Sequence, residues 1–212
     1  MVGISKMEIF WAVLFFAFST TITPGPNNIM IMSSGVNYGI KASLPHWLGI
    51  CLGFPLMVLL VGLGFGLVFE HYPHLHQLIK VLGTAYLIYL AYKIASAKPE
   101  HIATGKSKAL TFWQAALFQW VNGKAWVMAS GAMAAFTTVA GVYWLEVSAI
   151  TLAFLLVAFP CVGIWLLFGA VLKKLLNNPV AQRIFNLLMG LILLLSVVPV
   201  LVELWQYYFR AV

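Results

Sequence analysis

The chain has 212 residues, of which 63% are hydrophobic and only 8% charged, and its net charge of +7 comes from Lys and Arg set against five Glu and no Asp. Soluble domains carry about 25% charged residues, so a chain this poor in charge is excluded from the water-soluble class and reads as one integral membrane domain over residues 1–212. Its cations stand singly between apolar runs, which excludes a nucleic-acid surface and suits lysines in the loops of a multi-pass membrane protein.

A membrane-spanning helix needs about 20 mostly apolar residues. Six spans are predicted, at about 8–33, 42–69, 75–96, 111–138, 145–172 and 184–208. The first follows Lys6 with no small-residue cleavage pattern and runs on through Pro24 to Ile40, so it is expected to be a retained span rather than a signal peptide. Around the second lie three pairs of glycines at one-turn spacing, Gly35 and Gly39, Gly49 and Gly53, Gly62 and Gly66, which let helices approach closely. These pairs are expected to pack the bundle and also admit a homodimer. Pro55 offers a point where the second span bends or slides. The third span is the shortest, with Lys80 and Lys93 snorkelling from its ends and Tyr86, Tyr89 and Tyr92 along it.

A polar loop at about 98–108 separates two half-repeats, about 1–97 and 109–212. Three spans is an odd number, so the halves are inverted relative to one another. The first span carries "PGPNN" and the fourth "QWVNGK"; Cys51 and Pro55 in the second are loosely answered by Pro160 and Cys161 in the fifth. Lys41, Lys93, Lys98, Lys106, Lys108, Lys173, Lys174 and Arg183 fall on one side of the membrane, and Lys6, Lys80 and Arg210 on the other. The cation-rich side is predicted to be cytoplasmic, with both termini outside.

The chemistry concentrates at two interruptions. Pro24 and Pro26 lack an N–H and clash with the preceding turn, and Gly25 relaxes the backbone between them, so the first span is predicted to break here. Backbone groups freed by a break must be buried in protein or line a wet cavity. Asn27 and Asn28 follow with amide donors and acceptors, and the helix restarting after Pro26 turns its N-terminus toward an anion. In the fourth span, Gln119, Asn122 and Lys124 sit in the middle third, with Gly123 weakening the helix between them. A lysine at the bilayer centre costs about 2.5–3.5 kcal/mol, so Lys124 requires a partner or a cavity. It can attract a substrate carboxylate, change protonation state during transport, or pair with carbonyls freed near Pro24. Interrupted helices at matching positions in two halves point to a transport site.

His46 beside Trp47 is a second candidate for coupling. His71, His74 and His76 beside Glu70 are ligand types on one short loop, which fits an interfacial turn, and neither metal nor cofactor is expected. Ser130 in "MASGAM" has no histidine on a later span to act as base. Cys51 and Cys161 lie in apolar surroundings, as buried thiols do.

The stretch "TPGPNNIMIMSSGVNYGIKASLPHWLGICLGF" resembles the opening signature of the LysE/RhtB amino-acid exporters, "VLGTAYLIYLAYKI" their third span, and "ALTFWQAALFQWVNGKAW" their fourth. The double asparagine and the "FQWVN" run are similar to the cysteine and O-acetylserine exporter branch. The resemblance implies a bacterial inner-membrane protein that exports amino acids or derivatives and is driven by the proton gradient. It matches Pro24, Gly25, Pro26 and Asn27 to the first family motif, and Asn122 and Lys124 to the second. Many members have proline where this chain has Gly123, which implies a softer break in span four.

The expected protein is therefore an all-α membrane transporter with two inverted three-helix repeats, and not an enzyme. Lys124 and the half-helix N-terminus would hold a carboxylate, while Asn27, Asn28 and Gln119 would bind the rest of a small amino-acid-like substrate. Two alternatives stand beside it: a thiol-redox carrier using Cys51 and Cys161, and a non-transporting scaffold.

Overall fold

The computed structural model describes residues 6–65, 71–97, 108–137, 142–176 and 178–209. They form helices α1 (Lys6–Ile22), α2 (Pro26–Leu60), α3 (Pro73–Ala95), α4 (Phe112–Phe118), α5 (Gly123–Phe136), α6 (Tyr143–Leu175), α7 (Pro179–Leu195) and α8 (Val198–Phe209). A π turn, Val61–Phe65, extends α2, and a 3-10 turn, Gln119–Val121, joins α4 to α5. Among the described residues there is no strand. Four helical stretches are long and apolar enough to cross a membrane: Pro26–Gly64, Gln77–Ala95, Tyr143–Leu175 and Pro179–Phe209. Their outward faces are lined with leucine, valine and aromatic side chains such as Leu56, Leu152, Phe168 and Leu191. Water would penalise so wide an apolar surface, whereas hydrocarbon accepts it. The fold is an all-α, multi-pass membrane fold.

The helix starts follow local chemistry. Proline opens α2, α3 and α7, where its missing N–H removes no helical bond. Thr111 caps α4 in a reciprocal box with Gln114, Asn122 caps α5 and Asn178 caps α7. The span edges expected near residues 8–33 and 42–69 shift, because α2 runs on past the first span and turns at Gly39. That residue has φ 78° and ψ 178°, a conformation open to glycine and strained for other residues. Gly39 is thus a corner rather than a packing position. Pro45 and Pro55 are carried inside the helix, and the non-helical residue in α2 is Gly39.

Several other glycines serve close contact. A Cβ on Gly49 would lie 2.4 Å from the Phe112 carbonyl oxygen, and one on Gly53 would lie 2.6 Å from Ala116 Cα, so α2 and α4 touch backbone to backbone. Gly35 and Gly169 do the same between the first arm of α2 and α6, and Gly190 seats α7 on Ala91 and Ala95 of α3. The pairs that admitted a homodimer are therefore occupied within the chain at Gly35, Gly49, Gly53 and Gly62; Gly66 lies outside the described residues. One core gathers Val13 of α1, Phe54 and Met57 of the second arm of α2, Ala129 and Phe154; a second sets Met30 of the first arm against Leu90, Phe118 and Leu193. Lys80 of α3 pairs with Glu203 of α8. His71 and His74 stand exposed at the start of α3, whereas Glu70, Lys98, Lys106 and all of the expected loop at about 98–108 except Lys108 lie outside the described residues, as does the side chain of His76.

Candidate functional site

The first break is complete. Helix α1 ends at Ile22, Gly25 is fully extended (φ −173°, ψ 178°), and α2 starts at Pro26. Two prolines two residues apart withhold the N–H groups that would have continued the ladder, which leaves the last carbonyls of α1 without helical donors. Side chains replace them. Asn28 Nδ2 donates to the carbonyls of Thr21 and Thr23, both at 2.8 Å. Trp165 Nε1, from α6, donates to Ile22 at 3.0 Å. Lys124 Nζ donates to the Thr23 carbonyl at 2.7 Å, to Thr23 Oγ1 at 2.9 Å and to the Pro24 carbonyl at 3.3 Å.

The second break faces the first. After the 3-10 turn, Asn122 is extended (φ −88°, ψ 103°) and its Oδ1 accepts from the Lys124 N–H at 3.2 Å, which starts α5. The break is therefore not soft. Asn122 makes it by capping the new helix, and Gly123, exposed with Val200 as its nearest neighbour, need not supply it. Asn27 and Gln119 clasp across the two breaks: Asn27 Nδ2 donates to Gln119 Oε1 at 2.8 Å, and Gln119 Nε2 returns to Asn27 Oδ1 at 3.1 Å. Gln119 also donates to the Ala115 carbonyl at 2.9 Å.

Between the breaks lies an open cleft of about 390 Å³. Thr20, Thr21, Asn27, Asn28, Asn122 and Lys124 give it polar walls, and Ile50, Phe54 and Met128 an apolar one. The buried Thr21 Oγ1 has no hydrogen-bond partner. No side chain caps α2, so the N–H groups of Asn27 and Asn28 remain at its positive end. Lys124 is paired with no carboxylate among the described residues; its ammonium is held by neutral oxygens alone. Such a site suits a carboxylate, which a charged donor binds more strongly than a carbonyl does.

Five of the sequence-derived residues thus meet here: Asn27, Asn28 and Lys124 on the cleft, Asn122 at its edge, and Gln119 fully buried behind Asn27. Pro24, Gly25 and Pro26 form the first break. His46 lies elsewhere, buried on Ser34 in a second cavity. Sequence reasoning missed Thr20, Thr21 and Thr23, although the run "STTIT" beside the prolines announces hydroxyls at the break. It also missed Trp165, which has no local signal because it reaches Ile22 from 143 residues away. Ser130 merely donates to the Trp126 carbonyl of its own helix.

No solved structure matches the chain. Proteins named cysteine/O-acetylserine efflux protein in Escherichia coli (strain K12), Escherichia coli O1:K1 / APEC and Shigella flexneri serotype 5b (strain 8401) are each 34% identical to it over 119 residues, or 56% of this chain. The match spans 58% of the length of those relatives. A much longer stretch, residues 18–203, matches the family model for the LysE type translocator; it takes in both breaks and the cleft between them, and the chain belongs to that family.

Proposed function

We propose that this chain exports small amino-acid-like zwitterions from the bacterial cytoplasm through the inner membrane, and that the cleft between the two breaks is its substrate site. The observation that carries this reading is the convergence of the Lys124 ammonium and the uncapped N-terminus of α2 on one cleft. The substrate carboxylate binds there, and Thr21, Asn27 and Asn28 take the amino group or side chain. Gln119 fixes the rotamer of Asn27 from behind. The relatives' names favour cysteine and O-acetylserine as cargo.

The transporter crosses the membrane six times as two inverted halves, about 1–97 and 109–212, within one domain. The pairings support this: α1 and the first arm of α2 lie along α6, through Phe16 on Phe154 and Gly35 on Leu166, just as α4 lies along the second arm of α2. Exchanging the halves maps one contact onto the other. One half rocks against the other to expose the cleft alternately. The proton gradient drives export, and a protonophore that leaves efflux unchanged would refute that. The lysine-rich side is cytoplasmic, so a reporter fused at Val212 reads as external; a cytoplasmic signal would overturn the topology.

The direct test is efflux from cells loaded with a panel of amino acids including cysteine and O-acetylserine. At equal membrane abundance, Asn27→Ala and Lys124→Ala are expected to lose export of the cargo. Wild-type rates from both variants would refute the site. A thiol carrier is not favoured, because Cys51 and Cys161 have no exposed surface and reactive thiols need access.

A further inference from the structure

A second cavity, of about 410 Å³, lies at the lysine-rich end of the bundle beside the C-terminal half of the first arm of α2. Ser33, Ser34 and His46 line its inner wall, and Lys93 and Lys108 stand on it from α3 and from the segment before α4. His46 is fully buried, and its Nδ1 pairs with Ser34 Oγ at 2.8 Å. Its Nε2 has no partner, nor does Ser33 Oγ, which is also buried. A buried polar atom left unpaired is costly, so two of them on residues lining one cavity point to something that supplies the missing bonds. The two ammonium groups are likewise paired with no carboxylate among the described residues; the ion pair found there is Lys80 with Glu203. The two cavities share no lining residue.

We infer that this cavity is a second α-amino-carboxylate site, distinct from the cleft, in which Lys93 and Lys108 hold the carboxylate and His46 Nε2 and Ser33 Oγ hold the ammonium. The Ser34 contact fits either tautomer of His46; in the one that binds the ammonium, Nδ1–H donates to Ser34 Oγ, so that Nε2 is an acceptor, the role an ammonium requires. The ligand class rests on the export reading. The position, at the lysine-rich end of the same helical arm whose other end forms the cleft, makes it the place where cargo is loaded before it reaches the breaks.

The test uses the full chain in lipid vesicles carrying Ala109→Cys, with Ile94→Cys as a second reporter on the same cavity should the first misfold; both positions are partly exposed and neither holds the ligand. Labelling by a methanethiosulfonate is followed with and without O-acetyl-L-serine, which has no thiol. At about ten times its Kd the amino acid slows labelling about tenfold. Its methyl ester, lacking the carboxylate, leaves the rate unchanged. Protection survives Asn27→Ala and disappears in the Lys93→Gln, Lys108→Gln double variant. Equal rates with and without the amino acid overturn the site, as does protection that survives loss of both lysines. A reporter that reacts only after anionic lipid is stripped gives the cavity to a lipid headgroup and also overturns it. Efflux from the same vesicles separates the two readings: export without protection refutes the second site alone, and protection without export refutes the export reading alone.

Discussion

The tightest glycine position among the described residues yields a sign that ordinary helix propensity gets wrong. Gly169, inside α6, lies where a Cβ would stand 2.2 Å from the Met32 carbonyl oxygen and 3.0 Å from its carbonyl carbon. Gly163, six residues earlier on the same helix, would place its Cβ 3.6 Å from Trp47 Nε1, an ordinary contact. Alanine in place of a helical glycine gains about 0.5–1 kcal/mol from the backbone. At 163 nothing opposes that gain. At 169 the first arm of α2 must retreat by more than an ångström, and the obstacle is backbone, which cannot rotate away as a side chain can. Overpacking of this kind costs about 1–3 kcal/mol and outweighs the propensity gain. Gly169→Ala is therefore expected to lower the melting temperature of the detergent-purified protein by several degrees, at about 2–4 °C per kcal/mol for a chain of this size. Gly163→Ala is expected to hold or raise it. Thermal unfolding followed by tryptophan fluorescence reads both. Equal melting temperatures for the two variants would refute the claim that α2 and α6 meet backbone to backbone.

Three further outcomes follow from the site. Gln119→Leu removes both bonds of the amide clasp and strands the half-buried Asn27, so stability falls by about 1–3 kcal/mol and efflux falls with it; a stable, fully active variant would show that the clasp is incidental. Asn122→Ala loses the cap of α5 at about 0.5–2 kcal/mol, and Asn122→Asp restores most of it; melting curves that rank the two in the opposite order would remove the capping role. The double variant Cys51→Ala, Cys161→Ala exports at the wild-type rate at equal abundance, and loss of export there would revive the thiol carrier.

The sequence announced both breaks for a local reason. Proline and glycine act on their own backbone, so "TPGP" marks the end of α1 whatever packs around it. The restart at Asn122 was legible for the same reason, although its strength was misjudged: capping by an asparagine side chain needs no proline, and Gly123 drew the attention that belonged to its neighbour. What sequence did not show are the partners. Lys124 needed a counterpart, but its choice among substrate, lipid headgroup and freed carbonyl depends on α5 lying against the end of α1, which no spacing encodes. Gly39 looked like half of a small-residue pair, because a glycine at a corner and a glycine at a contact have the same neighbours in the chain. The asymmetry between Gly35, which touches Leu166, and Gly39, with positive φ, arises only in three dimensions.

The absence of aspartate gains meaning once these contacts are set side by side. The first arm of α2 is held by a neutral amide pair at each end. Near its start, two residues past Gly25, Asn27 clasps Gln119. Near its end, two residues before Gly39, Asn37 exchanges bonds with Asn186 of α7 at 2.9 and 3.0 Å, and Gln182 adds a third. An amide pair satisfies both partners without the several kcal/mol of desolvation that each buried ion demands, so it can hold a moving part in hydrocarbon and still let go. The segment between the two corners is a rod of about 20 Å at 1.5 Å per residue, and it borders the cleft with Asn27 and Asn28 and the second cavity with Ser33 and Ser34. Tilting such a rod breaks amide clasps and leaves every helical hydrogen bond within it intact. Gly25 and Gly39, each with an amide clasp two residues away, therefore bound one segment that borders both cavities, and the backbone contact of Gly35 with Leu166 seats it on α6 between them.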